Sequence, residues 1–178
     1  HHAFAAHAIL QDAENDVFYT GISSGISASF DSAAQAKVEL GNPENLEVFD
    51  SQLVSMALGL MVITLARAAE QGASLQEILA LAKATYPKIG VYFTVNTLEY
   101  LHKGGRINTA TRFLGSALNV KPLLEIRGGK IEAVESVISR KKALSRMLDL
   151  IEKRTSGKTP LLIAPFHALC EDECRALE

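Results

Sequence analysis

The sequence predicts an α/β protein of two lobes, with a parallel sheet in the N-terminal lobe and a mixed α/β C-terminal lobe. The chain has 178 residues, of which 48% are hydrophobic and 21% charged, a globular composition. Before Pro87, short β-branched and aromatic runs alternate with helical patterns, as in a parallel sheet. After Pro87, two strand patterns flank Gly128-Gly129, a hairpin signal.

The lobe boundary is predicted at Pro87, giving lobes of residues 1–86 and 87–178. The first lobe is expected to be incomplete at its start, because there is no initiator Met and His1-His2 resembles the remnant of a tag. The second is expected to be incomplete at its end, because the final helical pattern has no stop signal.

Elements of the N-terminal lobe follow from capping residues and apolar periodicity. Gly41-Asn42-Pro43 ends one helix, and Ser74 with Glu77 forms a capping box that opens another. The predicted elements are the end of a helix at Phe4–Ala13, a strand at Asp16–Ile22, a turn at Ser23–Gly25, a helix at Ser27–Leu40, a strand at Leu46–Phe49, a helix at Leu53–Gln71 and a helix from Ser74 to about Tyr86.

The C-terminal lobe is expected to mix strands and helices around the hairpin. Its last apolar run, Pro160–Pro165, is interpreted as a buried strand. The other predicted elements are a strand at Ile89–Val95, a helical turn at Thr97–Leu101, a helix at Ile107–Leu118, strands at Pro122–Ile126 and Lys130–Val137, and a basic amphipathic helix at Ser139–Arg154.

Several classes of protein are disfavoured by composition. No apolar run is long enough for a membrane span, and no secretory signal is visible. Cys170 and Cys174 have no second pair with which to build a zinc site, and two reduced thiols fit a cytoplasmic protein. No metal is predicted.

Charge is distributed unevenly along the chain. Residues 101–159 carry 13 basic and 5 acidic side chains, a net charge of +8, although the whole chain has a net charge of −2. A basic segment in an acidic protein favours an anionic ligand or an acidic partner. Nucleic acid is not the predicted partner, since no aromatic residues are interleaved to stack bases.

A serine-rich segment, Thr20–Ser27, follows the first predicted strand and precedes a helix. Ligands of open α/β sheets bind at the carboxyl ends of strands, where backbone N–H groups and helix dipoles favour anions. Ser23, Ser24 and Gly25 are therefore candidates for holding a carboxylate or phosphate. The alternative is a serine turn that only caps the helix.

The same segment contains G-x-S-x-G with Ser23 at its centre. That pattern also occurs in the nucleophile elbow of serine hydrolases, where the serine follows a strand. Asp50 and His167 follow later strand patterns in the order that such a triad requires. A serine hydrolase using Ser23 is therefore the alternative function.

A glycine loop, Lys103-Gly104-Gly105-Arg106, forms the second candidate site. Two glycines allow positive φ, and the Arg106 guanidinium can bind a carboxylate or phosphate through two hydrogen bonds. The sequence contains no G-x-x-x-x-G-K-[ST] motif, so ATP binding by a Walker A loop is not predicted. A solvated glycine turn is the alternative.

Apolar residues recur throughout the chain and are interpreted first as core. Periodicity does not distinguish a filled core from a tunnel for an apolar ligand. The residues concerned are Ile22, Ile26, Phe30, Met56, Leu60, Ile63, Phe93, Val95, Phe113, Leu114, Leu118, Val120 and Leu123.

Four segments in order resemble the DegV family: VFYTGISSGISASFDSA at Val17–Ala33, VFDS at Val48–Ser51, FTVNTLEYLHKGGRI at Phe93–Ile107, and KPLLEIRGG at Lys121–Gly129 with RKKAL at Arg140–Leu144. The combination is specific. The resemblance implies a fold of two α/β lobes with a fatty acid between them. It also implies a binding subunit that presents the acyl carboxylate to a separate ATP-dependent subunit of a bacterial fatty acid kinase.

By this resemblance the chain is a lipid-binding protein with no catalytic residue and no cofactor, the fatty acid being its ligand. Ser23, Ser24 and Gly25 match the carboxylate-binding region, and Arg106 with Lys103 matches the region near the head group and the partner. Two family motifs, Thr-Ser and His-Thr-Gly-Pro-Gly, are not found, and His167 does not take the place of the second. The candidate tail pocket comprises Ile22, Ile26, Phe93 and Leu114.

Overall fold

A computed structural model gives the structure of the protein over residues 15–113 and 120–177. The chain forms two compact units that meet in sequence between Ile89 and Gly90. The α/β class is confirmed, since one sheet is parallel and the other antiparallel. The lobe boundary at Pro87 stays a prediction, three residues before this division.

The first unit is built on a strand–helix–strand motif. Strands β1 and β2 pair in parallel, with Val17 opposite Leu46 and Gly21 opposite Asp50, so both strands end at the same edge. The helix between them buries small residues beneath the sheet, as Ala36 packs with Leu46. Its elements are β1 (Val17–Gly21), α1 (Ser29–Glu39), β2 (Leu46–Asp50), α2 (Ser55–Glu70), α3 (Leu75–Thr85) and a 3₁₀ turn (Tyr86–Lys88).

The start of α3 confirms the predicted capping box. Ser74 Oγ accepts the Glu77 N–H, and the Glu77 carboxylate accepts the Ser74 N–H at 2.8 Å. The hydrogen bonds from the backbone and side chain of Ser74 lower the pKa of Glu77. Local sequence therefore fixes where this helix begins.

The second unit contains a three-stranded antiparallel sheet in the order β3-β4-β5. Leu123 and Leu124 point to opposite faces of the central strand and both are fully buried, so that strand is covered on both faces. Gly128 (φ +55°) and Gly129 (φ +74°) form the predicted hairpin turn. The elements are β3 (Val91–Thr94), α4 (Glu99–Lys103), a 3₁₀ helix (Asn108–Phe113), β4 (Lys121–Arg127), β5 (Lys130–Val137), α5 (Arg140–Thr155) and α6 (Glu171–Arg175).

The predicted strand at Pro160–Pro165 is wrong. Within the described part of the chain this segment belongs to neither sheet, and Leu161, Leu162 and Ile163 are 49%, 74% and 61% exposed. A strand needs hydrogen bonds from a neighbouring strand, and an apolar run does not specify that neighbour. Of the predicted helix at Ile107–Leu118, the part that the structure describes is a 3₁₀ helix over Asn108–Phe113.

Some predicted features fall outside the described residues. Leu114 and Leu118 lie in the segment 114–119, and the predicted helix end at Phe4–Ala13 lies before residue 15. Over the residues that are described, no helix combines the length and apolar composition of a membrane span.

Candidate functional site

The serine loop, residues 22–28, leaves β1 beside the exit of β2, because Gly21 and Asp50 are paired at the ends of the two strands. The N–H groups of Ile26 and Ser27 both donate to the Ser23 carbonyl at 3.0 Å. This turn delays the start of the helix to Ser29, two residues after the predicted start. The predicted strand–turn–helix arrangement is thus present.

Asp50 binds the serine loop through both of its carboxylate oxygens. The Ser24 hydroxyl donates to Oδ2 at 2.5 Å, and the Ser24 N–H donates to Oδ1 at 3.2 Å. The Gln52 N–H also donates to Oδ1, at 3.0 Å. Charge-assisted hydrogen bonds of this kind are about twice as strong as neutral ones. One carboxylate therefore ties the exits of both strands together.

Ser51 makes a second, buried connection between the two exits. Its hydroxyl donates to the Gly21 carbonyl at 2.5 Å and accepts the Leu53 N–H at 3.0 Å. The Leu53 carbonyl in turn accepts the Ser23 N–H at 2.9 Å. Ser23 and Ser51 are both 0% exposed. We call the bonds of Asp50, Ser51 and Leu53 to Gly21, Ser23 and Ser24 the strand-exit clasp.

The buried position of Ser23 gives no support to the serine hydrolase. A nucleophile elbow exposes its serine hydroxyl, whereas Ser23 is fully buried and its Oγ accepts the Gly25 N–H at 3.2 Å. Asp50, the proposed triad acid, is bonded to Ser24. His167, the proposed base, accepts the Cys170 N–H at 3.4 Å through Nδ1.

The N–H groups of the serine loop are used within the protein. Those of Ser23, Ser24 and Gly25 donate to Leu53, Asp50 and Ser23 Oγ, respectively. The loop therefore differs from the expected anion site, in which these N–H groups would be available to a ligand. A bound anion would have to exchange with Asp50 at Ser24 or use other donors nearby.

Other donors lie at the ends of the serine loop and at the start of α2. Thr20 Oγ1 and Ser29 Oγ are buried and have no hydrogen-bond partner among the described residues. The first N–H groups of a helix have no intrahelical acceptors, and among the described residues no side chain of the N-cap residue Val54 caps those of α2. Gln52 (φ +53°) and Ser55 (φ +52°) hold a backbone conformation rare for residues other than glycine, which often marks a functional segment.

Helix α2 is apolar on two opposite faces. Ala57, Met61 and Leu65 are buried in the core of the first unit. The opposite face carries Met56, Gly59, Leu60 and Ile63, whose spacing of three, four and seven places them in one row. Met56 and Ile63 are 39% and 45% exposed. We call this row the apolar stripe; it starts three residues after Leu53, which binds the serine loop.

The other candidate tail residues are distributed over both units. Ile22 in the serine loop is 40% exposed, and Ile26 in the same loop is half-buried. Phe93 lies on β3 opposite Leu124 and is half-buried. Ile22 and Ile26 therefore share a unit with the apolar stripe, whereas Phe93 belongs to the second unit.

The glycine loop of the second unit is a Schellman motif that ends α4. The Arg106 N–H donates to the Leu101 carbonyl at 2.9 Å, the Gly105 N–H donates to the His102 carbonyl at 3.0 Å, and Gly105 has a φ of +72°. The Arg106 guanidinium donates to the Gly104 carbonyl. Lys103, the last residue of the helix, forms an exposed ion pair with Glu99 at 2.6 Å.

Sequence reasoning missed two parts of this site. Asp50-Ser51 was interpreted as a strand exit and a triad acid, although a carboxylate and a hydroxyl directly after a strand signalled contact with a neighbouring loop. The apolar stripe was interpreted as core. Its signal was the uniformly apolar composition of α2, because such a helix needs cover on every face. No group of side chains suited to a metal occurs among the described residues.

Comparison with known proteins identifies related sequences over nearly the whole chain. Residues 2–178 match the family model described as "Uncharacterised protein, DegV family". A DegV domain-containing protein of Streptomyces coelicolor is 37% identical over 156 residues, which are 88% of this chain and 54% of that protein.

Two solved structures are similar in fold and sequence. DegV of Bacillus subtilis, described as a fatty acid binding protein, has a TM-score of 0.83 and 31% identity, over 98% of this chain and 63% of that one. A DegV family protein of Thermus thermophilus, described for its fatty acid binding, has a TM-score of 0.77 and 33% identity, over 88% of this chain and 55% of that one. The chain spans about half the length of the curated relatives it matches.

Proposed function

This chain belongs to the DegV family, and from that premise we propose that it binds a long-chain fatty acid with its carboxylate at the serine loop. The observation that carries this proposal is the position of the loop. It is tied through Leu53 to the start of a helix that has an exposed apolar face. Fatty acid binding by the related proteins of Bacillus subtilis and Thermus thermophilus supports the ligand class.

The head group is a carboxylate that must be hydrogen-bonded when water is removed from it. Ser24 is exposed at the loop and its N–H and hydroxyl already hold one carboxylate, that of Asp50. Thr20 and Ser29 offer hydroxyls that have no hydrogen-bond partner in the part of the chain that the structure describes, and the start of α2 offers N–H groups. Ser23 and Gly25 support the loop through their own hydrogen bond.

The tail is proposed to lie along the apolar stripe, starting near Ile22 and Met56. Gly59 has no side chain, and a Cβ added there would meet Met56 Cε at 3.9 Å, so the stripe is recessed beside Met56. Burial of methylene groups contributes roughly 0.8 kcal/mol each, or about 10 kcal/mol for a tail of about 16 carbons before ordering costs. The tail therefore dominates the affinity. Ile26, Phe93 and Leu114 remain proposed members of the tail pocket.

We further propose that the protein presents the bound acyl carboxylate to a separate ATP-dependent kinase subunit. The family resemblance of the loop from Lys103 to Arg106, which implies a position near the head group and the partner, supports this proposal. Arg106 and Lys103, exposed at the end of α4, are the proposed partner-facing residues. A cytoplasmic location belongs to the same proposal, since Cys170 and Cys174 are free thiols.

Native mass spectrometry of the purified protein tests the ligand. We expect a bound species whose mass, released on denaturation, is that of a long-chain fatty acid. A protein that carries no acyl chain and takes up no added palmitate would contradict the proposal.

The apolar stripe is tested with charged substitutions. Met56→Asp and Ile63→Asp should each weaken palmitate binding at least tenfold, because a carboxylate would be buried against the tail. Val62→Asp is the matched control: Val62 is 41% exposed on the same helix but lies about 100° around the axis from the stripe. Equal losses in all three variants would place the tail elsewhere.

A further inference from the structure

Asp50 already occupies, through both oxygens, the donors that the proposed ligand needs. Ser24 offers one N–H and one hydroxyl, and these donate to Oδ1 at 3.2 Å and Oδ2 at 2.5 Å. A serine hydroxyl has one proton to donate. While Asp50 accepts that proton, Ser24 cannot donate it to a second carboxylate.

We propose that Asp50 is an internal anion that competes with the fatty acid carboxylate for Ser24 and thereby sets the head-group selectivity of the serine loop. This inference rests on the proposed function, because it assumes that the carboxylate binds at Ser24. The two carboxylates exchange at the same donors, so the hydrogen bond that the ligand gains replaces one that the protein loses.

After displacement from Ser24, the Asp50 carboxylate still has hydrogen-bond donors. Its Oδ1 keeps the Gln52 N–H at 3.0 Å, and Asp50 is half-buried beside an exposed Ser24, so water can solvate the other oxygen. The buried half of the strand-exit clasp, formed by Ser51 and Leu53, does not involve Asp50. Exchange at Ser24 therefore leaves the loop attached to β2.

Competition has a second consequence, which is electrostatic. A displaced but ionised Asp50 stays close to the bound carboxylate, and like charges a few ångströms apart repel each other. Neutral head groups escape both the repulsion and the exchange. The ratio of the Kd for a fatty alcohol to the Kd for a fatty acid of equal length should therefore be smaller in wild-type protein than in a protein that lacks the Asp50 carboxylate.

The substitution Asp50→Asn removes the competition and the charge repulsion while keeping the hydrogen bonds that hold the serine loop. The Asn carbonyl oxygen can accept the N–H groups of Ser24 and Gln52, and its NH₂ can donate to Ser24 Oγ, which frees the hydroxyl proton for the ligand. We expect the Kd for palmitate to fall about tenfold and the Kd for hexadecan-1-ol to change less than about twofold. Adding Ser24→Ala to Asp50→Asn should abolish the gain.

The measurement is titration of the purified wild-type and variant proteins with palmitate and with hexadecan-1-ol, alongside their urea unfolding midpoints. An unchanged or higher palmitate Kd in a folded Asp50→Asn protein, or equal gains for both ligands, would overturn the inference while leaving the proposed function in place. Wild-type protein that binds neither ligand would overturn both.

A crystal structure of wild-type protein with palmitate tests the inference without any variant. We expect Ser24 Oγ within hydrogen-bonding distance of the ligand carboxylate and no longer bonded to Asp50. Palmitate bound beside an intact Ser24–Asp50 hydrogen bond would show that the two carboxylates do not compete.

Discussion

The serine loop and the glycine loop are held in place in opposite ways. Hydrogen bonds of the serine loop reach distant residues: Ser24 binds Asp50, 26 residues away, and the Ser23 N–H donates to the Leu53 carbonyl. The backbone hydrogen bonds that shape the glycine loop are local, from Arg106 to Leu101 and from Gly105 to His102. The serine loop therefore depends on the pairing of β1 with β2, whereas the backbone turn of the glycine loop is set by the end of one short helix.

The two loops also differ in how they expose polar groups. The strand-exit clasp includes Ser23 and Ser51, which are fully buried, so each of their hydrogen bonds is costly to break. The glycine loop carries its cations on exposed side chains, where ion pairs contribute little to stability. This contrast agrees with the proposed roles, in which the serine loop holds the ligand and the glycine loop faces the partner.

The largest expected effect on stability comes from breaking the clasp. Ser51→Ala leaves the Gly21 carbonyl and the Leu53 N–H without their buried partner, which should lower the free energy of unfolding by about 2 kcal/mol. Urea denaturation measures this change. Ser32→Ala is the control, because its hydroxyl makes an exposed hydrogen bond to the carbonyl of Ala28, the N-cap residue of α1. Equal decreases in the free energy of unfolding of both variants would show that the strand-exit clasp contributes no more to stability than an exposed hydrogen bond.

A smaller effect is expected from the backbone of the glycine loop. Gly105 has a φ of +72° and open space around it, so Gly105→Ala should cost about 1 kcal/mol through backbone conformation alone. Gly105→Asn should cost less, since asparagine tolerates this conformation. Denaturation midpoints of the two variants test the comparison, and an Asn variant less stable than the Ala variant would contradict it.

The smallest effect on stability is expected at Arg106. Arg106→Ala removes an exposed side chain and should change the free energy of unfolding by less than about 0.5 kcal/mol. It should reduce phosphorylation of bound fatty acid by the proposed kinase subunit much more than it reduces fatty acid retention, because the tail is proposed to supply most of the affinity. Lys83→Ala, an exposed cation of the first unit, serves as control. Equal loss of retention and phosphorylation in Arg106→Ala would contradict this division.

Local signals predicted much of the fold correctly. Ser74 and Glu77 predicted the start of α3, and Gly128-Gly129 predicted the β4–β5 hairpin. The strand at Pro160–Pro165 was predicted from an apolar run alone, and no sheet among the described residues includes it. The capping box and the hairpin turn were predicted correctly because neighbouring residues supply their hydrogen bonds, whereas the strand at Pro160–Pro165 needed a partner strand that its own sequence does not specify.

The candidate site shows the same division. Order and spacing of the motifs determined the family, the α/β class and the position of the serine loop after β1, because turn and capping chemistry is written into adjacent residues. Only the tertiary structure revealed that Asp50 binds Ser24, that Ser23 is buried, and that Met56 and Ile63 on α2 are exposed. The burial of a side chain and its hydrogen-bond partners depend on which segments the folded chain brings together. Periodicity and spacing within one segment do not contain that information.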